Sequence, residues 1–191
     1  MKNITIGIGG SSGSIYGKVL TDRLQELIEP EKVAVIMSKN AKYNWQFELG
    51  NQDYKKLPFR IFNTNDPEAL YELDRRPATD MIIAPCSMGL IGRIAAGTDS
   101  DAITAAASRA LQWRKKLLLI FRDKPLSIIH TRNILKIQQA GGIVIPATPS
   151  FYTRAEGRDA LAQSVVDRSL DLLGFELKDT YRWGETEDDR L

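Results

Sequence analysis

NITIGIGGSSG, residues 3–13, decides the fold. Its first six residues are short and largely β-branched, and glycines follow at once. That pattern reads as a buried strand running into a tight turn. Residues 14–28 then carry Tyr16, Leu20, Leu24 and Leu27 at helical spacing, and Pro30 closes the segment. A buried strand, a glycine turn and an amphipathic helix begin a β-α-β unit.

The same rhythm repeats outward from there. KVAVIMS (32–38) predicts a second strand, and 39–49 a helix with Ala41 and Trp45 on one side. Residues 50–78 are polar and punctuated by proline, which predicts a loop with one short strand near FRIF (59–62). A third clear strand is expected over 80–84, an alanine-rich helix over 100–113 and a strand at KLLLIF (116–121). Ser127 is placed to cap a helix over 128–139, which Gly141 and Gly142 stop. IVIP (143–146) is the last strong strand, a long helix covers 155–173 and closes at Gly174, and 175–191 is a charged tail. Alternating strands and helices with right-handed crossovers predict a three-layer, Rossmann-like or flavodoxin-like α/β fold. The sheet is expected to be mostly parallel, in one domain over 1–191.

Composition agrees. Apolar residues are 43% and charged residues 26% of the 191, a globular balance. Lys and Arg number 26 against 24 acids, a net charge of +2, which argues against nucleic acid and against a polybasic membrane anchor. One cysteine excludes an internal disulfide, and one histidine makes a histidine metal site an unpromising reading. No apolar run reaches a membrane span, and the N-terminus lacks a signal peptide's apolar core. The expectation is a soluble, cytoplasmic protein.

In such sheets ligands sit outside the carboxyl ends of the strands. After strand one comes Gly9-Gly10-Ser11-Ser12-Gly13, either a plain tight turn or a loop whose backbone approaches a phosphate at a helix start. The dinucleotide fingerprint fails, because Ser12 stands where its last glycine belongs and strand two ends in Ser38 rather than an acid. A mononucleotide fits better. Pro85-Cys86-Ser87-Met88-Gly89 follows strand three. Cys86 has no neighbouring cation in sequence, so a small buried filler is the stronger reading over a nucleophile. Arg122-Asp123-Lys124-Pro125 is either a charged turn or a phosphate-holding arginine at a strand end. Glu48 shares a helical face with Ala41 and Trp45, and Arg168 aligns with Leu161, Val165 and Leu172. Both charges interrupt apolar stripes, so each either snorkels or meets a partner. Tyr152 follows the last strand and either caps the sheet or offers a hydroxyl to a phosphate. His130 begins a helix and takes no catalytic role.

GGSSGSIYG (9–17), MSKNA (37–41), APCSMG (84–89), RDKPLSIIHTRNIL (122–135), PATPSFY (146–152) and RW (182–183) together resemble the UbiX-type flavin prenyltransferases, formerly called aromatic acid decarboxylases. The resemblance runs in order from residue 4 to about 183. It implies FMN, a dimethylallyl monophosphate donor, and a prenyl group joined to N5 and C6 of the reduced flavin. The product is the cofactor of UbiD-type decarboxylases. It also implies a large homo-oligomer, often a dodecamer, with sites between subunits and no metal.

Carried over by motif, Gly10, Ser11, Ser12 and Gly13 form the phosphate-cradling loop, with Ser12 near flavin N5. Ser38, Ser87, Met88, Gly89, Leu90 and Arg122 contact the flavin. Glu48 is the catalytic glutamate. Tyr152 and Arg168 hold the prenyl phosphate, and Trp183 lies beside the prenyl group. The sequence departs from the family at Asp123 for a glutamate, Gln112 for a lysine and Leu90 for a threonine. It departs again at 101–106, DAITAA, for a helix start bearing arginine. Arg114 and Lys115 are nearby cations that could stand in for the lysine. Two further readings stay open: a non-catalytic protein that binds or delivers FMN or prenylated FMN, and an FMN-dependent cysteine-type decarboxylase. The latter is disfavoured because no histidine precedes His130.

Overall fold

The computed structural model describes residues 3–75, 77–151, 156–177 and 180. Six parallel strands form one sheet: β1 (Ile4–Ile8), β2 (Val33–Met37), β3 (Arg60–Asn63), β4 (Asp80–Cys86), β5 (Leu117–Phe121) and β6 (Ile143–Pro146), in the order β3-β2-β1-β4-β5-β6. The chain steps outward from β1 to β3, then returns to lay β4 against the other side of β1. This is the order of the doubly wound dinucleotide folds, and its switch point is the crevice between β1 and β4. The expected three-layer parallel α/β architecture is the one observed.

Burial explains the strands. Ile4, Ile6 and Ile8 face one side with Val33, Val35, Leu118 and Ile120, beneath helices α1 (Ser14–Leu27) and α7 (Gly157–Leu173). Met81, Ile83, Leu117 and Leu119 face the other, beneath α4 (Met88–Ala95), α5 (Ala102–Gln112) and α6 (Ile128–Gln139). Alternate side chains thus feed two cores, one on each face. On β1 the second face is kept narrow by Gly7, where a Cβ would lie 3.1 Å from Ile83 and 3.2 Å from Ile103.

The helix α2 (Lys39–Leu49) matches its expected limits, with Ala41 and Trp45 buried. Ser127 caps α6 as expected, and His130 answers it: its Nδ1 accepts from the Ser127 amide, completing a capping box. The expected loop over 50–78 needs correction, because Pro67–Arg75 is a helix, α3. Pro67 suits a first helical turn, the Asp66 carboxylate accepts from the Glu68 amide, and Ala69 is buried. Arg60 of β3 pairs with Glu72 at 3.1 Å, tying α3 to the sheet. The sequence pattern shows little of this, because one alanine is a weak apolar signal.

Among the described residues no helix is long and apolar enough to cross a membrane, and no cluster of His, Cys, Asp and Glu has metal-binding form.

Candidate functional site

Three loops meet at the carboxyl edge beside the switch point. The first is Gly9–Gly13, and close approach explains its glycines. A Cβ on Gly9 would lie 2.7 Å from the Pro85 carbonyl oxygen, and one on Gly10 would lie 2.6 Å from Asn40 Cβ. Gly13 caps α1 at φ 114°, a left-handed conformation that favours glycine. Gly13 offers no side-chain cap, so the α1 amides need another acceptor.

Glu48 supplies it. Its carboxylate accepts from the Gly13 amide at 2.9 Å and the Ser14 amide at 2.7 Å. Burial pushes the Glu48 carboxyl up. The Ser14 and Gly13 amides, with the Ser12 and Ser14 hydroxyls, together outweigh that and hold it below the usual carboxylate range. The charge flagged from helical spacing is therefore neither snorkelling nor idle. It is the anion at a helix N-terminus.

The second and third loops carry serines that terminate helices. Ser38 Oγ accepts from the Ala41 amide at 3.0 Å, and Ser87 Oγ accepts from the Leu90 amide at 3.2 Å. Each cap uses the oxygen as acceptor and leaves the hydroxyl proton to be donated. Arg122, just past β5, is exposed, and its Cδ would be 3.1 Å from a Cβ on Gly13. Its carbonyl oxygen accepts from Ser11 Oγ at 3.2 Å. Asp123 lies at the same edge, where its carboxylate accepts from the Lys124 amide. Tyr16, which the sequence reading placed only in the apolar stripe of the first helix, donates to the Ala147 carbonyl and is buried beside Gly13. Asn44 was missed as well: its Nδ2 donates to the Gly10 carbonyl at 3.0 Å. Its place one turn before Glu48 on the same face was the available signal.

Other expectations need correction. Met88 and Leu90 are each 3% exposed and pack in the core with Ile91 and Ile103, so their side chains serve the interior. Gln112 ends α5, and α5 begins at the carboxyl edge, where the Ala102 amide meets the Thr64 carbonyl. Gln112 is thus a helix length, roughly 16 Å, from the loops described above. Within one chain it does not join them. Arg168 is exposed rather than set in an apolar stripe. The inward face of α7 is Ala162, Val165, Val166, Ser169, Leu170 and Leu173, and its buried charge is Asp167, paired with Arg23 at 2.9 Å. Cys86 is fully buried, and burial pushes its thiol up, which fits the filler reading. Tyr152 and Trp183 lie outside the described residues.

This edge gathers hydroxyl donors, a cation and tightly turned backbone around a carboxylate. Such a set can hold a phosphate and pass a proton beside it. A separate concavity opens at the opposite edge, lined in part by Ile36, Phe62, Arg60 and Arg109. Its Arg60 is already paired with Glu68 and Glu72.

The flavoprotein family model matches residues 1–170. The flavin prenyltransferase UbiX of Saccharolobus solfataricus is 35% identical over 187 residues, covering 95% of this chain and 92% of that protein. The UbiX of Halalkalibacterium halodurans is 33% identical, covering 96% and 94%. The crystal structure of AnUbiX in complex with FMN and dimethylallyl pyrophosphate superposes with a TM-score of 0.87 at 32% identity, covering 97% of this chain and 99% of that one. A dodecameric FMN-dependent UbiX-like decarboxylase from Escherichia coli O157:H7 gives the same TM-score and identity, covering 96% and 99%. The structure of a PPC decarboxylase mutant complexed with pantothenoylaminoethenethiol is 19% identical with a TM-score of 0.64 and shares the fold alone.

Proposed function

The chain belongs to the UbiX-type flavin prenyltransferase family, and we propose that it joins a dimethylallyl group to N5 and C6 of reduced FMN. Dimethylallyl monophosphate is the donor, and UbiD-type decarboxylases receive the product. The observation that carries this reading is the Glu48 carboxylate on the α1 amides, beside the glycine-serine loop.

The residues fit a flavin phosphate. Gly9 and Gly10 leave no room for side chains, the Ser38 and Ser87 hydroxyls retain their protons, and Arg122 stands exposed at the same edge. FMN, when bound, supplies the electron-rich acceptor atoms. The chain's own residues do the rest. Ser12 and the cation carried by motif, Arg168, stabilise negative charge as the allylic carbon–oxygen bond breaks and the phosphate leaves with its electron pair. Tyr152 completes that set as the resemblance assigns it, and Trp183 shelters the allylic cation by cation–π attraction. Glu48 handles the proton. Held as a carboxylate by the amides, it gains proton affinity when a phosphate dianion lies beside it. It can then take the proton lost at C6 and return it to the departing phosphate.

Among the described residues this edge is rimmed with apolar side chains. Phe47 and Phe151 are each 78% exposed, Ile128 66% and Ile129 64%. Surfaces of that kind mark association. The dodecameric relative supports a homo-oligomer in which a second copy covers the rim. Gln112 and Arg168, distant or outward in their own chain, would then face a neighbour's site.

The test is anaerobic incubation with reduced FMN and dimethylallyl monophosphate or pyrophosphate, read by mass spectrometry. A flavin heavier by one five-carbon unit is expected. Bound flavin with no such gain from either donor would overturn the transferase reading.

A further inference from the structure

Asn44 grips the Gly10–Ser11 peptide, near the start of the glycine-serine loop. Its Nδ2 donates to the Gly10 carbonyl at 3.0 Å. One turn later on the same helix, Glu48 takes the Gly13 and Ser14 amides. Helix α2 therefore holds the loop at both ends, the first by a donor on a carbonyl and the second by an acceptor on amides.

The two grips act differently on an incoming ligand. In a planar trans peptide the carbonyl of Gly10 and the N–H of Ser11 point in opposite directions. Drawing that carbonyl toward α2 turns the Ser11 amide away from α2. The Ser11 hydroxyl already reaches the Arg122 carbonyl at 3.2 Å. Asn40 closes the back of the loop, because its Cβ would sit 2.6 Å from a Cβ on Gly10. The peptide has little freedom to flip.

We propose that Asn44 is a positioning residue: by fixing the Gly10–Ser11 peptide it aims the Ser11 amide at a phosphomonoester bound across the switch-point crevice. This rests on the reading of the edge as a phosphate site and deepens it. The phosphomonoester is that of FMN or that of the allylic donor. Asn44 touches neither and acts through the loop backbone.

The experiment uses the full chain with Asn44→Leu, which keeps volume and removes the donor, and Asn44→Asp, which keeps shape and presents an acceptor to the carbonyl. Two measurements, covering three ligands, are made for each. One is FMN against riboflavin, by quenching of flavin fluorescence. The other is dimethylallyl monophosphate, by calorimetry on FMN-loaded protein. A lost charge-assisted amide weakens one phosphate-bearing ligand about tenfold, while riboflavin stays within about twofold. A fall in the FMN-to-riboflavin ratio assigns the amide to the flavin phosphate. A fall confined to the donor assigns it to the allylic phosphate. A merely structural role lowers the thermal midpoint and weakens all three ligands alike. That result, or unchanged affinities in folded Asn44→Leu and Asn44→Asp, would overturn the proposal. Wild-type protein that binds riboflavin as tightly as FMN and ignores the donor removes the phosphate reading itself.

Discussion

The Glu48 carboxylate lies 2.7 Å from the Ser14 amide nitrogen, so one helix supplies the anion that closes the N-terminus of another. A catalytic candidate and a helix cap are the same group. Its removal must therefore show in folding and in chemistry together.

Glu48→Gln is expected to retain flavin binding and slow prenyl transfer by about 10²–10⁴-fold, the range for a lost general acid–base group. It should also change the pH dependence of stability. Glu48 has its folded pKa depressed, so its contribution is fully present above the ordinary glutamate value of 4.5. The contribution fades as pH falls from there through the lower folded value. Thermal melts across that acid window should show a shallower decline in Glu48→Gln than in wild type. Parallel profiles would contradict the cap.

Gly9→Ala places a methyl 2.7 Å from a backbone carbonyl of β4, where nothing flexible can yield. A loss of about 1–3 kcal/mol in urea unfolding is expected, the usual cost of overpacking. Gly10→Ala meets Asn40 Cβ instead and should impair FMN binding by displacing the loop from α2.

Arg114 follows α5 at φ 53°, with the Lys115 amide on the Ala110 carbonyl and the Arg114 amide on the Leu111 carbonyl. These are the two bonds of a Schellman motif, in which glycine is the favoured residue. Arg114→Gly should raise stability by about 1 kcal/mol, or roughly 2–4 °C in Tm, measured by calorimetry.

Arg23 and Asp167 form an ion pair between α1 and α7, with side chains only 11% and 5% exposed. Thr180 and Gln163 also donate to Asp167. Asp167→Ala removes the buried anion while Arg23 keeps its pair with the more exposed Glu26 at 2.9 Å, and a loss of about 1–3 kcal/mol is expected in urea unfolding. Joining it with Arg23→Leu should recover much of that loss.

Ile128 and Ile129 stand exposed at the start of α6. Replacing both with glutamate should yield smaller assemblies in light scattering if a second copy covers them. An unchanged mass would place the interface elsewhere.

Much of this was legible in the residues, and the exceptions share a cause. β1, β2 and β5 were readable because strands buried on both faces are continuous apolar runs, and β6, a half-buried edge strand, from the β-branched run of residues 143–145. Ser127 was readable because capping is local chemistry. The phase of α7 was not: Leu161, Val165 and Leu172 suggest a stripe, but the true inner face uses Ala162 and Ser169 and admits Asp167, which looks polar until Arg23 is opposite. The remoteness of Gln112 was available from topology, since a helix returning to a parallel strand ends at the amino edge. The motif match said nothing of direction. Asn44 escaped because its one signal, a place one turn before Glu48 on the same face, does not show which backbone group it holds.

Ser38 and Ser87 each follow a strand and cap a helix with the same hydroxyl that the resemblance assigns to the flavin. Engineering a new ligand preference at either serine would therefore carry a folding penalty of about 1 kcal/mol before any gain in selectivity. Retargeting this scaffold is better begun at Arg122 or the outer rim, whose side chains anchor no helix.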